Sequence, residues 1–258
     1  MKIALVSLLA LAFILPFSTP ANAVAFTVAP GDMIVIDNST VCTINFVFDG
    51  TGSLAGKVYV GTAAHCLEGK HSARIDHYGG HVLGTQNGGY LLGTNDGPDF
   101  ATVAYIGDYP SSANGGTAVE NGIAGTQLDF ALLQVRSAYT SVVSPAVRGH
   151  TGMPTAVAGT PDMTPGSLIL HSGHGTAYSD VQLLRENHVG VLGLTNALAY
   201  QEVGTTMPGD SGGPVLLSSG KALGVVSSMG ATGDVGPRMD AILSEIAGLG
   251  YTVTLRHA

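Results

Sequence analysis

Apolar residues run along this chain in short stretches, broken by glycine, proline, asparagine and aspartate. That rhythm fits strands and turns better than long helices. Residues 42–48 alternate in strand fashion, Asp49-Gly50-Thr51-Gly52 makes a turn, and residues 57–61 return as the second arm of a hairpin. Further strands are predicted over 100–106, 129–135, 167–171, 181–184, 188–194, 199–203, 215–217 and 222–227. Residues 24–41 form an extended arm with turns at Pro30-Gly31 and Asp37-Asn38. Between 73 and 93 short apolar stretches alternate with glycine turns, and 108–125 is a polar loop. Only residues 241–247, stopped at Gly248, carry a helical period. Many short strands and one late helix predict an all-β architecture.

Composition sharpens this picture. With 45% hydrophobic and 11% charged residues and 37 glycines, the chain suits a turn-rich β protein and does not suit disorder. A net charge of −8 without basic runs argues against nucleic acid or an anionic membrane as a partner. Met1-Lys2, an apolar run over 3–17, Pro16, Pro20 and Ala21-Asn22-Ala23 together read as a signal peptide cleaved after Ala23. The expected product, residues 24–258, is exported to the extracellular space or periplasm without a membrane anchor. Cys42 and Cys66 are an even pair, which in an exported chain reads as a disulfide closing a loop of about 25 residues, with two buried thiols as the alternative. Asn38-Ser39-Thr40 fits a glycosylation sequon.

Three stretches carry candidate chemistry. In Gly209-Asp210-Ser211-Gly212-Gly213-Pro214 a serine sits among glycines whose freedom lets backbone amides converge on one oxygen. Taken alone, this is also an ordinary turn between strands. Thr62-Ala63-Ala64-His65-Cys66 puts a histidine at a strand end beside a disulfide candidate. Asp129 opens an apolar strand, Phe130-Ala131-Leu132-Leu133, where an aspartate is otherwise a turn or capping residue.

Together, and in this order, the three motifs resemble those of chymotrypsin-like serine proteases, particularly secreted bacterial, streptogrisin-like members. The resemblance implies a single protease domain of two six-stranded antiparallel β-barrels. They span about 39–136 and 166–236, with a linker over 137–165 and a C-terminal helix over 237–248. It implies Ser211 as nucleophile, His65 as general base, Asp129 as the residue orienting His65, and the amides of Gly209 and Ser211 as an oxyanion hole. It also implies the Cys42–Cys66 pairing. Thr205, six residues before the serine, falls at the base of the primary pocket with Thr206 beside it, and Ser227, Ser228 and Met229 fall on the strand that lines substrate. No acid waits at Thr205, so cleavage after uncharged, small to medium residues is expected. Protein or peptide substrates, a monomer, and no metal or cofactor follow from the same resemblance; His171 and His174 lack further ligands at metal spacing.

Alternatives stay open at this stage. Asp99, in Asp99-Phe100-Ala101, is a weaker copy of the aspartate motif. Gly209-x-Ser211-x-Gly213 also matches the elbow of α/β-hydrolases, a serine esterase reading. That fold needs its acid and histidine after the serine, and only His257 follows. A catalytically silent binding module is the other rival. The partner that relatives give the aspartate before the nucleophile, here Asp210, reads as His174, with a surface histidine in a glycine-rich turn as the alternative.

Overall fold

The computed structural model describes residues 27–36, 40–67, 74–75, 100–107, 128–149, 152–173, 185–204, 206–230 and 233–257. The strands are β1 (Met33–Ile36), β2 (Thr40–Thr43), β3 (Val47–Gly50), β4 (Val58–Thr62), β5 (Arg74–Ile75), β6 (Ala101–Ile106) and β7 (Ala131–Val135), then β8 (Leu168–Gly173), β9 (Arg185–Thr195), β10 (Ala199–Val203), β11 (Pro214–Leu217), β12 (Ala222–Val225), β13 (Ser228–Gly230), β14 (Gly233–Pro237) and β15 (Val253–Leu255). Helix α1 spans Met239–Gly248. The predicted strand over 181–184 lies outside the described residues.

Two antiparallel sheets dominate. One has six strands in the order β15-β3-β4-β7-β6-β5, with the β1-β2 hairpin as a separate two-stranded sheet. The other has seven, β12-β11-β8-β9-β10-β14-β13, where six were expected. The count rises because residues 233–237, outside every predicted strand, form β14 between β10 and β13. Val226 turns inward to exchange backbone hydrogen bonds with Gly212 and Gly213, which ends β12 and lets β13 start separately. A bridge between Gly224 and Arg238 curls the sheet back on itself. Residues 42–48 likewise divide, since the Ile44 and Asn45 amides bond to Asp32 and Gly61 and break the run between β2 and β3.

Alternation explains the strongly apolar strands. Along β7, Ala131, Leu133 and Val135 fill the interior of the first sheet, while Leu132 faces the second sheet's side. Along β4, Val58 and Val60 point inward and Tyr59 outward. Both faces are buried, so such strands read as unbroken hydrophobic runs. The outward cluster of Phe46, Phe48, Tyr59, Phe130 and Leu132 receives Met239, Ile242 and Ile246 of α1 together with Leu216 and Val225. One apolar seam thereby joins the two sheets and the helix. A third cluster, including Ile169, Leu192, Tyr200 and Val215, fills the second sheet.

The C-terminus returns to the first sheet, a crossing absent from the sequence expectation. β15 pairs with β3, Arg256 forms an ion pair with Asp49, and the Tyr251 hydroxyl donates to the Ala104 carbonyl at 2.6 Å. Cys42 and Cys66 form a disulfide, tying β2 to the turn after β4. A closed loop of this size contributes about 3 kcal/mol through the unfolded chain. Among the described residues no helix is long and apolar enough to cross a membrane.

Candidate active site

Asp129 lies where the chain enters β7, nearly buried at 4% exposure. Its Oδ1 accepts the backbone N–H of His65 at 2.9 Å, and its Oδ2 is 2.7 Å from His65 Nδ1. The carboxylate holds both the main chain and the ring of His65, so the imidazole has one orientation. A carboxylate oxygen accepts here, so in the neutral ring this contact favours the tautomer with hydrogen on Nδ1 and the lone pair on Nε2. Ser227 donates its hydroxyl to the same Oδ2. His65 itself sits in the 3-10 turn Ala64–Leu67 directly after β4, pinned by the neighbouring Cys66 disulfide, with its side chain 23% exposed.

Ser211 lies on the tight turn that leads into β11 and is half-buried. Gly209 adopts φ +105°, a region that side-chain-bearing residues rarely occupy. Gly212, at φ +88°, runs so close to the first sheet that a Cβ would come within 2.2 Å of Thr62 Oγ1 and 2.4 Å of the Thr43 carbonyl. The turn is therefore clasped by the opposite sheet. Thr43 donates its N–H to the Ser211 carbonyl and its hydroxyl to the Gly209 carbonyl, each at 2.8 Å. Asn45 Nδ2 donates to the Gly213 carbonyl at 3.1 Å. Asp210 points away from solvent, fully buried, and its Oδ2 accepts the Met207 amide at 2.9 Å.

Around the expected pocket the structure adds two residues that sequence reasoning missed. The Thr206 amide donates to Asp234 Oδ2 at 3.1 Å, and Asp234 is paired in register with Met229 across β13 and β14. Behind them Glu202, on β10, is 1% exposed, with His171 Nε2 3.8 Å from its Oε1. Ser227, placed in the pocket by sequence, spends its hydroxyl on Asp129. Ser228 follows it at the start of β13. Thr205, Asp99 and His174 lie outside the described residues. Gly173, just before His174, does abut Asp210: a Cβ there would be 2.5 Å from Asp210 Oδ1. His171 faces His188 at 5.2 Å between ring centroids and Glu202 in the interior.

Burial pushes the Glu202 carboxyl up to about 8, and the charges of Asp234 and Asp210 add to the effect. The folded value lies above the ordinary 4.5, so between these limits the unfolded chain has released a proton that the folded one retains. Stability is full below about 4.5 and declines as pH rises through about 8, by at most about 1.4 kcal/mol per pH unit. His171, Asp210, Asp234 and Tyr200 are the groups facing this carboxyl. Glu202→Gln is accordingly expected to gain melting temperature relative to the parent from pH 5 to pH 8 and to match it near pH 4. A constant difference across that range, followed by calorimetry, contradicts the assignment.

The comparisons with known proteins bear on this geometry directly. The family model for trypsin matches residues 35–241, most of the chain. A solved structure of an alpha-lytic protease homolog, N4, superposes with a TM-score of 0.50 at 18% identity, covering 89% of this chain and 100% of that one. A Glu endopeptidase structure superposes with a TM-score of 0.51 at 14% identity, covering 86% of this chain and 90% of that one. No curated protein matches the chain significantly. The two curled sheets are thus the two β-barrels of the trypsin fold, and the match across both of them, carrying the serine, histidine and aspartate motifs in one order, places the chain in the trypsin family as a serine endopeptidase.

Proposed function

We propose that the protein is an exported endopeptidase that cleaves protein or peptide substrates through an acyl-enzyme on Ser211. His65 takes the Ser211 proton through Nε2 and returns it to the leaving amine. Asp129 holds the imidazole and stabilises its cation, and the Gly209 and Ser211 amides bind the oxyanion. The observation that carries this reading is the double grip of Asp129 on His65, through the backbone amide and Nδ1. That contact favours the tautomer a general base requires. Export is supported by the signal-like segment 1–23 and by the Cys42–Cys66 disulfide, which persists in oxidising compartments.

For specificity we retain cleavage after uncharged, small to medium side chains. The carboxylate of Asp234, which accepts the Thr206 amide, repels an acidic side chain there, so the glutamate named for the Glu endopeptidase does not transfer to this chain. Digestion of a peptide library tests both parts. Cleavage after Ala, Val or Thr supports the reading. A Glu preference overturns it, and an Arg or Lys preference replaces it with recognition by Asp234. An uncut library, from a folded and disulfide-bonded protein, contradicts the endopeptidase mechanism itself.

A further inference from the structure

The nucleophile turn is held from across the molecule, and one residue does most of the holding. Thr43 ends β2 and is fully buried. Its N–H reaches the Ser211 carbonyl, its hydroxyl reaches the Gly209 carbonyl, and its own carbonyl accepts the Thr62 hydroxyl at 3.0 Å. The residue before it, Cys42, is bonded to Cys66, the residue after His65. One strand end therefore sets the position of the nucleophile turn relative to the histidine turn.

The hydroxyl has a specific consequence. The peptide plane between Gly209 and Asp210 is bonded at both edges: its N–H goes to the Met207 carbonyl at 2.9 Å, and its C=O receives the Thr43 hydroxyl. Gly209 is at φ +105° and has no side chain to restrict rotation. Without the hydroxyl, the plane is held at one edge only and a part-buried carbonyl loses its donor, which favours rotation of the turn. The Gly209 N–H lies in the preceding Pro208–Gly209 plane, which pivots on the same Gly209 Cα, so movement of the turn there displaces that N–H.

We propose that the Thr43 hydroxyl is a positioning group for the oxyanion site, keeping the Gly209 amide aimed at the substrate oxygen through its bond to the Gly209 carbonyl. The proposal rests on the reading of Ser211 as nucleophile and of the Gly209 and Ser211 amides as donors. It goes beyond that reading by giving a first-barrel hydroxyl control over a second-barrel amide.

Thr43→Val keeps the shape and the backbone N–H but removes the hydroxyl, and Thr43→Ser restores it. The probe is p-nitrophenyl acetate, an ester that needs no particular side-chain pocket, with the acylation rate followed across pH. Thr43→Val is expected to lower the plateau rate about ten- to hundredfold, somewhat less than outright loss of an oxyanion donor. The midpoint of the pH profile, which reports His65, stays in place, and Thr43→Ser recovers most of the rate. A purely structural role predicts no such split. Wild-type acylation in Thr43→Val, a Ser variant as slow as the Val variant, or a shifted midpoint overturns the proposal. If Thr43→Val does not fold with its disulfide formed, Thr43→Ala against Thr43→Ser makes the same comparison. Parent protein that never acylates Ser211 overturns the underlying mechanism, whereas an active parent with an indifferent Thr43 overturns this proposal alone.

Discussion

Ser211→Ala is expected to lower peptide-bond hydrolysis by about a millionfold, the scale on which removing a triad nucleophile acts. The change deletes one oxygen. The contacts that hold the turn use main-chain atoms of this residue and its neighbours: Thr43 bonds to the Ser211 and Gly209 carbonyls, and Asn45 bonds to the Gly213 carbonyl. Gly209 and Gly212 keep their left-handed conformations regardless of what residue 211 carries. The variant should therefore fold with an unchanged melting temperature, bind substrate, and fail only in chemistry. Initial rates of casein hydrolysis against the parent check this. Activity within tenfold of the parent means that another nucleophile operates.

Asp129→Asn is expected to cost about ten-thousandfold in turnover, the size associated with loss of the orienting carboxylate in a triad. The reason lies in the count of donors. Asp129 accepts from the His65 amide, from His65 Nδ1 and from the Ser227 hydroxyl. An asparagine offers one accepting oxygen and one donating nitrogen in the same space. With its oxygen toward the His65 amide, its nitrogen confronts Nδ1–H, and the ring moves its hydrogen to Nε2, where the base is needed. With its oxygen toward Nδ1, its nitrogen confronts the His65 amide and the turn is pushed out. Both arrangements disable the base, and they differ in cost to the fold. The first leaves the melting temperature nearly unchanged; the second lowers it by removing a hydrogen bond of about 1–3 kcal/mol. Turnover and melting measured together distinguish them, and an Asn variant with parent-like turnover contradicts the role of Asp129. Combined with Ser211→Ala, the losses should not add, as expected of residues that act as one unit.

What could be read in the sequence depended on how local each feature is. The strand at Ala131–Val135 was legible because both its faces are buried, which makes its residues continuously apolar. Helix α1 was legible because Met239, Ile242 and Ile246 recur on one face. β15 was not: three residues, alternating between threonine and apolar positions, acquire meaning only against β3, some two hundred positions earlier. β14 was hidden for a similar reason, because Gly233-Asp234-Val235-Gly236-Pro237 has no strand period of its own and gains strand character only by pairing with β10 and β13. At the site, the motif residues were visible as short patterns, whereas their supports were not. Ser227 reaches Asp129 across 98 residues and Thr43 reaches Gly209 across 166, and neither pairing leaves a periodic trace. A faint signal did exist in polar residues set among apolar neighbours, as Asn45 between Ile44 and Phe46 and Gln201-Glu202 between Tyr200 and Val203. Asn45 and Glu202 both stand in such places, and both are buried.

The central claim, that Ser211 and His65 work as one assembled unit, is tested most directly by a fluorophosphonate probe applied to residues 24–258 produced in an oxidising compartment. The adduct is located by peptide mass. The account predicts a single adduct on Ser211 in the parent and none in His65→Ala under the same conditions. Labelling of a different residue, or labelling of Ser211 that persists at the parent rate in His65→Ala, contradicts it.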